Sequence, residues 1–210
     1  MNIVEAGSNE TPKRAKLLSH ILHPWAILVP VLAVAAYQAV SGSPEWIKWT
    51  LIAYVPAIAF PSLYARIRVW MWSRGKTPQG MSRSLFRDKP RELFATTGLF
   101  GIPGVLILHF LNGPKNLLII ILGVTAVMLA LAVVNLTYRA SFHLAMVTSM
   151  LTALWFLFGP VSLVSFLLIP TLGLSRYELG AHTPTQIVTG FLIGLVVSGA
   201  IFYGFGLHVT

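Results

Sequence analysis

NLLIIILGVTAVMLALAVVNL, residues 116–136, decides the fold. The stretch holds no charged side chain, and its length meets the ~20 apolar residues that a helix needs to cross hydrocarbon. The rest of the chain agrees: its 210 residues are 56% hydrophobic and 10% charged, with a mean hydropathy of +0.76. Soluble domains carry about 25% charged residues, so this composition excludes one and predicts an integral membrane protein. No cysteine is present, which excludes disulfides, thiolate nucleophiles and cysteine-ligated metals. The six histidines gain weight accordingly.

Further apolar runs lie at about 21–40, 46–67, 93–111, 143–158, 161–174 and 184–206. The expected fold class is all-α, a polytopic membrane bundle of about six to seven transmembrane helices. The runs flanking Gly159-Pro160 are short for ~30 Å of hydrocarbon, and that dipeptide is a turn signal, so the two read as a tight hairpin. Merged, they leave six spans. Residues 1–19, with Lys13, Arg14 and Lys16, read as a polar cytoplasmic tail, because no small-residue cleavage pattern marks a removed signal peptide. Residues 20–210 then form a single transmembrane domain.

Orientation follows from basic residues. Arg66, Arg68, Arg74, Lys76, Arg83, Arg87, Lys89 and Arg91 crowd the second connection, against one lysine each at the first and third. The N-terminus and the second connection are therefore expected on the cytoplasmic side. Counting crossings from there brings the second connection, the 137–143 junction and the 175–182 junction to one face. The opposite connections, 41–45, 112–115 and Gly159-Pro160, are short and plain.

The polar clusters on that face have readable chemistry. In LSRYELGAHTPTQIVTG, residues 174–190, Thr183-Pro184 has the form of an N-cap followed by proline in the first turn. His182 then precedes a helix N-terminus, where the dipole favours an anion and disfavours imidazolium, as suits a neutral nucleophile. Gln186, four residues on, is placed to hold one ring nitrogen of His182. Arg176 offers planar paired donors for phosphoryl oxygens. Gly190 and Gly194 form a GxxxG pair for close helix packing. A second histidine, His143, opens another helix after Arg139, Ala140, Ser141 and Phe142. One histidine would attack phosphorus while the other protonates the leaving oxygen, with Ser141 and backbone N–H groups stabilising equatorial oxygens. Lys76, Arg83, Arg87 and Arg91 could fold over an anionic headgroup, with Arg139 as a further contact.

These residues resemble the membrane branch of the type 2 phosphatidic acid phosphatase superfamily, which also includes vanadium haloperoxidases. That family's third motif, Ser-Arg, five residues, His, three residues, Asp, is similar to Ser175-Arg176, His182 and Gln186 here, followed by the usual glycines. Its second motif, Pro-Ser-Gly-His, corresponds to 140–143, and its first, Lys, six residues, Arg-Pro, to Lys76 and Arg83 followed by Ser84. Arg87 or Arg91 offers an alternative register for the first motif. The resemblance spans residues 76–206. It implies His182 as a nucleophile forming a phosphohistidine, His143 as the acid, and Lys76, Arg83, Ser141 and Arg176 as the phosphate cradle, with no cofactor and no metal. The chain departs from the family at Gln186 for Asp, Phe142 for Gly and Ala140 for Pro.

Two functions are compatible with these features. One is a lipid phosphatase acting on a lipid phosphate or isoprenoid diphosphate, with membrane lipids and no nucleic acid as partners. The other is a catalytically silent relative serving as a structural or lipid-binding subunit of a membrane protein complex. His20, His23 and His208 read as headgroup-level or terminal residues, while His109, inside the third run, has no partner histidine for a ligand role.

Overall fold

The computed structural model describes residues 13–73 and 90–207. Among these residues all regular structure is helical: α1 (Lys13–Ile21), α2 (Pro24–Ala39), α3 (Glu45–Tyr54), α4 (Phe60–Ser73), α5 (Pro90–Thr96), α6 (Ile102–Phe110), α7 (Lys115–Val134), α8 (Phe142–Phe158), α9 (Leu168–Glu178) and α10 (Pro184–Gly204). Six helical stretches are long and apolar enough to cross a membrane: Lys13–Ala39, Glu45–Arg68, Arg91–Phe110, Lys115–Val134, Phe142–Glu178 and Pro184–Gly204. The chain is an all-α integral membrane bundle. The helical stretch starting at Lys13 takes up the end of the segment expected as a polar tail.

The run that opened the sequence reading is the central helix. Leu117, Ile119, Ile120, Ile121, Val124, Val127, Met128 and Leu131 of α7 are buried, as fits a helix that is apolar all round. It packs against α2, α5, α6, α8 and α10. Helices approach closely where a side chain is missing. A Cβ on Gly123 would strike the Phe202 ring of α10, one on Gly101 would meet the Thr125 side chain at 2.9 Å, and one on Gly104 would meet Pro56 at 3.1 Å. The outward faces carry apolar side chains such as Val161, Val164, Leu167 and Val196, which lipid tolerates and water would not.

The second and third spans each contain a wide π turn, Val55–Ala59 and Thr97–Gly101. Pro56 lies inside the first and Pro103 just after the second; a proline has no N–H to offer the helical ladder, which re-registers around it. The ends of these spans are tied on the side of the second connection. Glu92, buried in the first turn of α5, accepts from the Tyr64 hydroxyl at 2.7 Å and from Arg68 Nε at 3.2 Å. A charge at a span end is retained where it is paired.

The stretch Phe142–Glu178 is the expected hairpin. Gly159 adopts φ 64° and ψ −146°, a conformation open to glycine, and Gly159–Leu167 continues as a 3₁₀ helix. Nine residues is long for that form. Ser162 and Ser165 donate to the carbonyls of Gly159 and Ser162, at 2.8 and 2.6 Å, satisfying acceptors that lipid could not. The chain then returns: Leu172 of α9 packs in one apolar cluster with Leu144, Val147 and Leu151 of α8.

Candidate functional site

The start of α10 is built as its sequence requires. Thr183 is the N-cap in extended conformation, and Pro184 occupies the first turn. Thr183 Oγ1 accepts the Gln186 N–H at 3.4 Å, and Gln186 Oε1 accepts the Thr183 N–H at 3.2 Å, a reciprocal capping box. The same amide oxygen lies 3.2 Å from His182 Nδ1. Opposite an acceptor that carries no proton, Nδ1 is the protonated nitrogen. Before this helix, Gly180 follows the end of α9 with φ 61°, and the Ala181 N–H returns to the Arg176 carbonyl at 3.0 Å. One turn therefore fixes Arg176 and His182 together.

The start of α8 is stitched to that of α10. Ser141, the N-cap of α8, donates its N–H to the Gln186 carbonyl at 3.0 Å. A Cβ on Gly190 would run into the Ser141 carbonyl, and one on Gly194 into that of Ala145. The expected glycine pair is thus the surface on which α8 lies, with Ser198 continuing the buried stripe. His143 stands in the first turn of α8, part-buried, with Arg176, His23 and His182 acting on it electrostatically. Ser141 is fully buried, and its hydroxyl has no hydrogen-bond partner among the described residues. The two histidines and the arginine of the sequence reading come together.

Other expected residues stand apart or lie outside the described residues. Arg91 is exposed at the start of α5, and Arg139 is exposed in a turn closed by the Ala140 N–H donating to Asn135 Oδ1 at 2.8 Å. Lys76, Arg83 and Arg87 lie outside the described residues, as does His208. His109 is exposed in the last turn of α6, with its ring 5.5 Å from that of Phe110. Among the described residues no group of three histidines or carboxylates is arranged around a metal position.

The N-terminal helices add what the sequence reading missed. Ser175 donates to the Ala15 carbonyl at 2.7 Å, and Arg176 Nη1 donates to Ser19 Oγ at 2.8 Å, so α1 lies along α9. His23 caps α2, and its ring lies 5.2 Å from that of His143 at 90°. The signal was present: His23-Pro24 has the same N-cap and first-turn proline arrangement as Thr183-Pro184.

Away from the site, a 310 Å³ groove is lined by Thr152, Trp155, Phe156, Leu163, Phe166, Leu195 and Gly199. Thr152 lies nine residues along α8 from His143, a rise of about 13 Å. Comparison with protein-family models, with curated proteins and with solved structures finds no match to this chain.

Proposed function

We propose that the chain is a membrane phosphatase of the type 2 phosphatidic acid phosphatase kind, removing phosphate from a lipid phosphate or isoprenoid diphosphate through a phosphohistidine. The observation that carries this reading is the 3.2 Å contact between His182 Nδ1 and Gln186 Oε1. It fixes the tautomer in which Nε2 is the attacking atom, in the position where the resembled family uses an aspartate. Nε2 of His182 bonds to phosphorus as the bond from phosphorus to the leaving oxygen breaks, and His143 gives that oxygen a proton. Water then attacks phosphorus and passes a proton back to His143, and the P–N bond breaks to release inorganic phosphate. Arg176 and the N–H groups of two helix starts hold the equatorial oxygens. Lys76 and Arg83 complete the cradle by resemblance, and the apolar groove between α8 and α10 suits a lipid chain. The basic second connection supports a cytoplasmic face for this site.

One observation favours the silent-subunit reading. Gln186 already has a structural task as the capping-box partner of Thr183, and such glutamines occur at helix starts without any catalytic role. Phosphate release by the purified protein separates the two, measured on phosphatidic acid, phosphatidylglycerophosphate, and farnesyl and undecaprenyl diphosphates. The expected result is turnover on at least one lipid that His182→Ala abolishes without loss of fold. Folded, monodisperse protein with no turnover on the panel would replace the phosphatase by the silent subunit.

A further inference from the structure

His143 is held differently from His182. Among the described residues it makes ring contacts and no hydrogen bond through either nitrogen. A histidine that moves protons is ordinarily oriented through one nitrogen by a carboxylate or carbonyl. Here the orienting groups are rings: His23, 5.2 Å away and perpendicular, and Phe142 at 6.0 Å. His23 is itself fixed. Its Nδ1 accepts the Trp25 N–H at 3.4 Å as the N-cap of α2, which places its ring proton on Nε2. Its ring also stands 6.2 Å from that of Trp25.

We propose that His23 is a positioning residue of the site: locked by the start of α2, its ring holds His143 edge-on and leaves both nitrogens of His143 to the leaving group and water. The catalytic consequence rests on the phosphatase reading, whereas the ring contact stands on geometry alone. The charged or titratable groups acting on the pair are all bases. Arg176 of α9 acts on both rings, His20 of α1 on His23, and His182, ahead of α10, on His143. Two imidazoles this close titrate as a pair, so changing one is felt by the other.

Two substitutions separate this role from simple helix capping. His23→Phe keeps a ring beside His143 and loses the cap, while His23→Asn keeps a capping oxygen and loses the ring. A positioning ring predicts that His23→Phe stays within about threefold of the parent kcat. His23→Asn is predicted to lose roughly tenfold to a hundredfold in kcat with KM little changed, part of the 10²–10⁴ that a placed acid contributes. The pH profile of His23→Phe should move, because the neighbour of His143 no longer titrates. Parent-like kcat in His23→Asn, or a loss confined to KM, would overturn the proposal. Nitrogen-15 spectra of the histidine rings add a readout that needs no turnover: the His143 titration midpoint should differ by more than about 0.3 pH units between the parent and either variant. An unchanged midpoint refutes the contact in solution, and either variant suffices should the other fail to fold. If the parent turns over no lipid, the functional reading falls, and the ring spectra still decide whether His23 and His143 are coupled.

Discussion

At Gln186 one amide oxygen meets two donors, the Thr183 N–H and the Nδ1 edge of His182. Replacing it by leucine removes both contacts, and phosphate release should fall by at least roughly a hundredfold. In a serine-protease triad, an Asp to Asn change that upset the histidine tautomer cost about 10⁴ in kcat. Gln186→Asp should preserve or raise turnover, since a carboxylate accepts the same hydrogen bond and adds charge opposite the imidazolium that develops. Steady-state phosphate release at saturating substrate checks both, and an inactive Gln186→Asp beside an active parent would contradict this account. This part of the site was legible in the sequence because it is local: four residues at a helix start bring 182 and 186 to one side whatever the rest of the fold does. His23 was not, because its partner lies 120 positions away along the chain.

Among the elements, α8 and α10 are joined where glycines face carbonyls. Gly190→Val would push a branched side chain into the Ser141 carbonyl and separate the two histidine-bearing helix starts. A loss of about 1–3 kcal/mol is expected from such overpacking, read as a lower melting temperature in detergent, together with loss of turnover. Gly204→Ala, at the end of the same helix and outside the groove, is the control, because nothing lies within 4 Å of its added methyl. The GxxxG spacing was readable, but it names a face and not the helix that covers it. The hairpin at Gly159 was readable from the dipeptide and the short flanking runs. The 3₁₀ form of the return was not, since it depends on the Ser162 and Ser165 hydroxyls each meeting the carbonyl three residues before.

For the whole molecule, the order of crossings did most to reveal the site, because it brought two distant junctions to one face before any contact was known. The native chain lacks cysteine, so an introduced one is unique and its side of the membrane can be read directly. Ser43→Cys, between α2 and α3, and Thr137→Cys, after α7, are both at exposed positions and lie at opposite ends of the bundle. An impermeant thiol reagent added outside intact cells should label Ser43→Cys and spare Thr137→Cys. The reverse pattern would put the site on the outer face. The reversal at Gly159 carries a consequence of another kind. Seventeen residues of α8 rise only about 25 Å, and the valines and leucine that follow the turn point outward into lipid. That rise is short of the ~30 Å of a typical hydrocarbon core, so the bilayer is expected to thin at the turn. Such a dimple in the bilayer favours thin, disordered membranes over thick, sterol-like ones, and it would steer where in a membrane the protein collects.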